Sequence, residues 1–196
     1  MKIELSMPLP EMDTKHLLLR QIKFSDAPAM FTYMSDPAVC EHLSWYPHMH
    51  QDDTLRYIAM ATHVSEDGPY EWALEHKKDG IVIGNAGFHS LNEKNRTIKF
   101  SFLISKDYWN KGFMTEASHA MIKYVFACGI NRIEAECLTA NNASQILLGK
   151  LGFLREGIFR QKYFFKQRFH DTMLFALVKS DFAKIKEVYD ETDHKH

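Results

Sequence analysis

Cysteine is scarce in this chain. Cys40, Cys128 and Cys137 are the only three in 196 residues. An odd number at wide spacing argues against a disulfide-stapled secreted domain and against a zinc knuckle, and leaves buried free thiols in a reducing compartment as the expectation. Glycine (9) and proline (6) are also sparse, and no Gly/Ser linker, repeat or low-complexity tract interrupts the chain, so nothing invites a division into domains. No apolar run approaches the ~20 residues of a membrane span. The opening MKIELSMPLPEM holds Glu4 and two prolines but no apolar h-region, so no secretory leader is expected and cytoplasmic residence follows. A charge surplus is missing as well. Lysine plus arginine (24) nearly cancel aspartate plus glutamate (25), which excludes the overall basic excess of a nucleic-acid coat or of a protein drawn to anionic membranes. Charge-driven recognition must therefore be local.

An apolar share of 45% is ample for one buried core. The expectation is a single domain over residues 1–196, with a core at about 14–179 and an amphipathic helical tail at 180–196. HLLLRQI (16–22) has the composition of a strand. Ser25 is placed to cap a following helix, with Pro28 in its first turn. Leu55, Ile58, Ala59 and Thr62 recur at helical spacing and predict a second helix from about Gln51 to Val64. In YEWALEHK, Tyr70, Trp72, Leu74 and His76 alternate with Glu71, Ala73, Glu75 and Lys77, the period of a half-buried strand. IVIGNAGFHSL and TIKFSFLIS follow as two more strands across short turns, giving an antiparallel meander. From Phe113 the period changes to that of a helix ending at Cys128, with Gly129 just past its end. RIEAECL is a strand, NASQILLGKL a short helix stopped by Gly152, and FLREGIFRQKYF with DTMLFALV a last strand pair. The fold class is α/β (α+β): a mixed, mostly antiparallel sheet in which the strand–helix–strand unit from Thr97 to Leu138 supplies one parallel pair.

DYWNKGFMTEA (107–117) sits where a strand gives way to a helix. The first turn of that helix offers unpaired N–H groups from Lys111 through Thr115 at the positive end of its dipole. Gly112 would let a phosphate approach the backbone, and Lys111 would add attraction at the rim. Gly112 as a simple turn residue remains the alternative at this point. Farther on, Asn142 and Gln145 have N-cap and N3 spacing for the short helix, which leaves Asn141 outside it with its amide free.

Together, YWNKGFMTEA and NNASQILLGKLGFLREG resemble the GNAT superfamily of N-acetyltransferases, most closely the branch of the ribosomal-protein N-terminal alanine and serine acetyltransferases, and the resemblance covers nearly the whole chain. It implies acetyl-CoA as co-substrate and a central parallel strand pair splayed around it. Asn110, Lys111, Gly112, Phe113, Met114 and Thr115 would hold the pyrophosphate, and the backbone of Phe102, Leu103 and Ile104 would pair with the pantetheine arm. Asn141 and Lys150 would lie along the same arm or near the adenosine. Ser144 would stand closest to the departing thiol. The chain departs from the family pattern at Asn110 (usually glycine), at Met114 (usually alanine) and at Lys99, where relatives often carry an acid. The general-acid tyrosine of polyamine-acetylating relatives falls on Leu148, so that role does not carry over.

Acetyl transfer from a thioester needs a neutral amine, a polarised carbonyl and a stabilised thiolate. At pH 7 a lysine-like amine is free about one time in 2,500, an α-amine about one time in seven. Loss of the strand acid at Lys99 favours the second. The expected acceptor is thus the N-terminal α-amine of a protein or peptide. A small-molecule amine (polyamine, amino sugar or antibiotic) and a non-catalytic CoA-binding relative are the alternatives, and a homodimer is compatible with either. The N–H of Leu103 or Ile104 would polarise the carbonyl. Ser144 would either donate to sulfur or cap its helix, and Tyr163 is either a second donor or a packing residue. Glu136 and His89 are candidate bases. His42, His48 and His50 lack a cysteine or carboxylate at metal-ligand spacing, so no metal is expected. Their loop, HLSWYPHMH, either lips the acceptor pocket or covers the sheet edge. RQKYFFKQRFHD alternates bases with aromatics, but with no net charge it is better explained by the last hairpin than by RNA binding.

Overall fold

In a computed structural model, which describes residues 3, 5, 7–63 and 68–184, the period-two segments assemble into one eight-stranded sheet of order β1-β2-β3-β4-β5-β6-β8-β7. The strands are β1 (Met12–Asp13), β2 (Leu17–Gln21), β3 (Tyr70–His76), β4 (Ile81–Asn92), β5 (Thr97–Ile104), β6 (Arg132–Leu138), β7 (Leu154–Phe165) and β8 (Arg168–Val178). Only β5 and β6 run parallel; every other pairing is antiparallel. The helices are α1 (Ala27–Met34), α2 (Pro37–Cys40), α3 (Gln51–Ala61), α4 (Phe113–Ala127) and α5 (Asn142–Lys150). Residues 179–184 are helical; the remainder of the expected tail, like Val64 at the expected end of α3, lies outside the described residues. No helix among the described residues is long and apolar enough to cross a membrane.

Each sheet face has its own apolar layer. On one, Trp72, Leu74, Phe88, Ile98 and Ile133 pack against Met121, Ile122 and Val125 of α4 and Leu148 of α5. On the other, Ala73 and Val82 pack against Met30 and Met34 of α1 and Ile58 of α3. The sheet is therefore sandwiched, so its "polar" faces are not all solvated. Cys40, Cys128 and Cys137 are buried and form no disulfide, and burial pushes the thiols of Cys40 and Cys137 up to about 11.

Three local expectations are revised. Asp26, not Ser25, occupies the N-cap of α1 and makes no side-chain cap bond, because its carboxylate is held by Arg20 through two 2.8 Å bonds. Asn141, not Asn142, caps α5. The last strand starts at Arg168 rather than Asp171, because Lys166 and Gln167 both take positive φ (48° and 62°) and close a tight hairpin, a conformation that sequence normally advertises with Asn-Gly.

Gly87, central in β4, is indispensable to this sheet. A Cβ there would lie 2.2 Å from the Tyr70 carbonyl oxygen and 2.6 Å from the Glu71 Cα, both backbone atoms that cannot move away. Gly87→Ala is expected to destabilise the fold by about 1–3 kcal/mol, measured by urea denaturation; a midpoint equal to that of the parent would refute the close approach.

Candidate active site

β5 and β6 pair only at Thr97↔Arg132, Ile98↔Ile133 and Lys99↔Glu134. Beyond that point β5 follows β4 to Ile104 while β6 follows β8 to Leu138, and the two strands diverge into a seam with unpaired backbone on both edges. The Ser105 N–H donates to the Ile83 carbonyl at 2.8 Å. Backbone groups alternate sides along a strand, so Leu103 also faces β4, while the N–H and C=O of Phe102 and Ile104 face the seam. The Trp109 indole N–H donates to the Ile104 carbonyl at 2.9 Å, in keeping with that alternation. The backbone expected to meet a pantetheine arm is thus reduced from three residues to Phe102 and Ile104, and of the two candidate N–H groups for the carbonyl only Ile104 is aimed correctly.

The seam leads to the start of α4. Gly112 has φ 84°, a left-handed conformation that disfavours a side chain, and Asn110 before it is also left-handed at φ 58°. The Glu116 N–H makes the first helical bond, to the Gly112 carbonyl, and no side chain caps the helix. The N–H groups of Phe113, Met114 and Thr115 therefore have no acceptor within α4. A Cβ on Gly112 would meet nothing within 4 Å, so the space beside Gly112 at the start of the helix is open. Lys111 stands at its rim, with Nζ 5.1 Å from the Tyr108 ring centre. Met114 is buried in the core, so its bulk is accommodated by α4 packing and does not obstruct the mouth. Glu116, the acid of the first turn, is turned away and accepts from the Thr14 hydroxyl (2.6 Å) and the His16 N–H (2.7 Å). An amide-lined mouth whose first-turn acid is turned away, continuous with the seam, fits a diphosphate with a slender tail, such as CoA.

Along the far side of the seam lies α5. Asn141 is not free, because its Oδ1 accepts from the Ser144 N–H at 3.0 Å, and Gln145 reaches back to the Thr139 carbonyl (2.9 Å). With capping done by Asn141, the hydroxyl of Ser144 makes no hydrogen bond to a described residue and remains available. Lys150 is exposed in the last turn of α5.

On the sheet face under α1 and α3, Glu136 is a hub. It accepts from Lys162 Nζ at 2.8 Å on both oxygens, from Lys99 at 3.3 Å, from Tyr163 at 3.2 Å and from Thr172 at 3.4 Å. Burial works against its charge, but the Lys162 bond and the charges of Lys162 and Lys99 outweigh it and hold the carboxyl below its ordinary range. His89, on the same face, is pushed below its usual value first by burial and then by Lys99, which keeps its ring neutral near pH 7. The loop between α2 and α3 packs Trp45 against His48, ring centres 4.8 Å apart, and His48 spends Nδ1 on Thr54 (2.9 Å). Lys166, at the β7–β8 turn, donates to the carbonyl of Cys40 (2.7 Å), tying the hairpin tip to this side of the molecule.

A cavity of about 300 Å³ opens between α3 and the sheet, with Glu71, Gly87, His89 and Ser101 on its floor and Tyr57 and Met60 on its wall. Glu71 was missed by sequence reasoning. Alternation puts it on the polar side of β3, and only the cover of α3 converts that side into an interior. Burial raises its pKa, partly offset by hydrogen bonds from Tyr57 and Asn85.

Residues 16–154 match the family model of the acetyltransferase (GNAT) domain. The chain is similar to the uncharacterized N-acetyltransferase YoaA of Bacillus subtilis, at 33% identity over 87% of this chain and 97% of YoaA. It is also similar to the ribosomal-protein-serine acetyltransferase of Escherichia coli, at 22% over 71% of this chain and 83% of that protein. Among solved structures, a GCN5-related N-acetyltransferase from Brucella melitensis superposes with a TM-score of 0.83 at 25% identity, covering 93% of this chain and 84% of that one.

Gly112→Val tests the mouth directly. The left-handed backbone penalises a branched side chain by about 1–2 kcal/mol, and its methyls would fill the open space at the start of the helix. The expected result is at least about tenfold weaker acetyl-CoA binding by calorimetry, since each lost charge-assisted bond is worth roughly 1.5–3 kcal/mol. Unchanged affinity in a folded variant would remove the phosphate role.

Proposed function

This chain belongs to the GNAT acetyltransferase family and is an N-acetyltransferase, and we propose that its acceptor is the α-amine at the N-terminus of a protein or peptide. The observation that carries this reading is the unzipped β5–β6 seam, which runs from the open mouth of α4 to a polar face offering a weakly basic proton acceptor and no free strong base. The name of the E. coli relative, a ribosomal-protein-serine acetyltransferase, supports the same class of acceptor.

Acetyl-CoA, when bound, supplies the activated acyl group. The residues of this chain then divide the work. The free amides of Phe113 to Thr115 bind the diphosphate. The edge groups of Phe102 and the N–H of Ile104 orient the pantetheine amides and the thioester carbonyl, whose oxygen gains charge as the amine attacks. The Ile104 carbonyl is already engaged by Trp109, so the pairing rests on the remaining three groups. Ser144, with its hydroxyl unspent, donates to the leaving sulfur.

Proton removal is the step that selects the amine. Glu136 has its oxygens occupied by two lysines, Tyr163 and Thr172, which makes it a poor acceptor and a good fixed charge. Neutral His89 can take a proton directly or through water. That is sufficient for an α-amine with a pKa near ~7.8 and weak for a lysine amine near ~10.4. Lys99 is then the counter-ion of Glu136 rather than the remnant of a lost base.

The test is a panel of peptides with free and blocked N-termini, alongside lysine side-chain and small-molecule amines, followed by thiol release at fixed acetyl-CoA. Free N-termini are expected to be acetylated, with kcat/KM falling as pH drops below about 7.8 because the reactive neutral amine is lost to protonation. Acetylation of blocked peptides at lysine, or of small amines alone, would overturn the assignment. Ser144→Ala should lower kcat about tenfold, at the weak end for a proton donor because a thiolate is a good leaving group, with acetyl-CoA affinity unchanged. A fully active variant would exclude the donor role.

A further inference from the structure

The cavity beneath α3 contains a carboxylate without a cation. Glu71 Oε1 accepts from the Tyr57 hydroxyl at 2.7 Å and also from the Asn85 amide. Asn85 is fixed in turn, since its Oδ1 accepts from the buried Tyr33 hydroxyl at 2.9 Å. Oε2 has no hydrogen-bond partner, and Glu71 no ion pair, among the described residues. Several other carboxylates of the sheet have a cation: Glu136 has Lys99 and Lys162, Glu134 and Glu156 share Arg132, and Glu75 and Asp26 share Arg20. A carboxylate taken out of water is normally paired with a cation, and here three neutral side chains hold it rigid while one oxygen faces an open space.

Register fixes how far the backbone of Glu71 lies from the seam. Glu71 pairs with Gly87 and Gly87 with Ser101, so the three form one row across the sheet on one face, and Ser101 stands where the β5–β6 seam begins. Two strand spacings separate Glu71 from Ser101, about 10 Å. Because Gly87 has no side chain, the floor between them is unobstructed. Glu71 stands two strands from the seam, yet it lines the same cavity as Ser101 at the start of that seam.

We propose that Glu71 is a specificity-determining residue that binds a second positive charge on the acceptor, an ammonium or guanidinium held about 10 Å from the amine that is acetylated. This deepens the reading of the preceding subsection and rests on it for the location of the reacting amine. In a peptide acceptor the charge is the side chain of a lysine or arginine within the first two residues; in a small-molecule acceptor it is the far end of a diamine. Burial without a cation raises the pKa of Glu71, and an entering cation would oppose that shift.

The experiment uses matched acceptors that differ in one charge: a peptide with lysine at its second residue against the same peptide with norleucine, and an α,ω-diamine against the monoamine of equal chain length. The wild-type protein is expected to favour the charged member of at least one pair by about tenfold or more in kcat/KM, as for a hydrogen bond to a charged group. Which pair responds identifies the source. Glu71→Gln keeps an oxygen for Tyr57 and Asn85, and should bring the charged member down to its uncharged partner while leaving the uncharged one, and the KM for acetyl-CoA, within about twofold. Glu71→Asp, which keeps the charge on a shorter arm, should retain part of the preference. No preference in the wild type, or an equal loss on both members of a pair, overturns the proposal. If no acceptor is turned over, the acceptor assignment fails on its own, and Glu71 is still tested by whether the diamine raises the melting temperature of the wild type more than the monoamine does and whether Glu71→Gln abolishes that difference.

Discussion

The divergence of β5 from β6 after Lys99 and Glu134 is the constraint on which this molecule depends. Unpaired N–H and C=O groups inside a sheet cost roughly 1–3 kcal/mol each when nothing replaces their partners, so a seam of this kind is tolerable only if each strand is well held on its other side. Both are. β5 is zipped to β4 from Lys99 to Ile104 and β6 to β8 over its whole length, so the two parts of the sheet are joined by a three-residue parallel ladder. Trp109 relieves part of the cost by donating to the Ile104 carbonyl. The remaining edge groups are the ones an amide-bearing tail would satisfy, as the cofactor of its family would.

The sheet also separates two kinds of chemistry. On the α4/α5 side the ligands are backbone amides and a helix dipole, with Ser144 added, and the only acid of the first α4 turn is pulled onto Thr14 and His16. On the α1/α3 side the groups are ionisable: Glu136, Lys99, Lys162, His89 and Glu71. The seam is where the two meet. Lys99 illustrates how the division alters the meaning of a residue. In the sequence it marks an acid lost from β5; in the fold it neighbours an acid one strand over, on β6, and together with Lys162 fixes that acid's charge.

Much of this was legible from periodicity and punctuation. Alternation in YEWALEHK located β3 and its core-facing set, the change of period at Phe113 located α4, and the glycines at 112, 129 and 152 all take the positive φ their positions suggested. What failed shares one cause, competition that spacing alone does not decide. Two adjacent asparagines could each cap α5; Asn141 prevails because Ser144 lies three residues on and Gln145 is drawn to Thr139. Asp26 rather than Ser25 marks the start of α1 because Arg20 recruits it from β2. The β7–β8 turn at Lys166 and Gln167 carries no turn residue at all, and is held by its register and by Lys166 on the Cys40 carbonyl. Backbone direction was similarly hidden, since only the ladder with β4 reveals that Leu103 turns away from the seam.

The near-zero net charge takes on a different meaning in the folded molecule. It excludes an overall electrostatic footprint, but it does not imply that charges are dispersed over the surface. Arg20 is consumed by Asp26 and Glu75, Arg132 by Glu134 and Glu156, and Lys99 and Lys162 by Glu136, so the sheet is stitched by small clusters of opposite charge that cancel only in part. Against that background an unpaired carboxylate under a helix stands out in a way the composition conceals. Period-two alternation assigns Glu71 to a polar face, and polarity on a strand is ordinarily satisfied by water. Here α3 partly covers the carboxylate, Tyr57 and Asn85 bond it directly with Tyr33 behind Asn85, and a cavity lies beside it. Stability alone would be served as well by an apolar residue at that position, since charge partly removed from water seldom repays its desolvation; a carboxylate there is suited to a positive group on the acceptor.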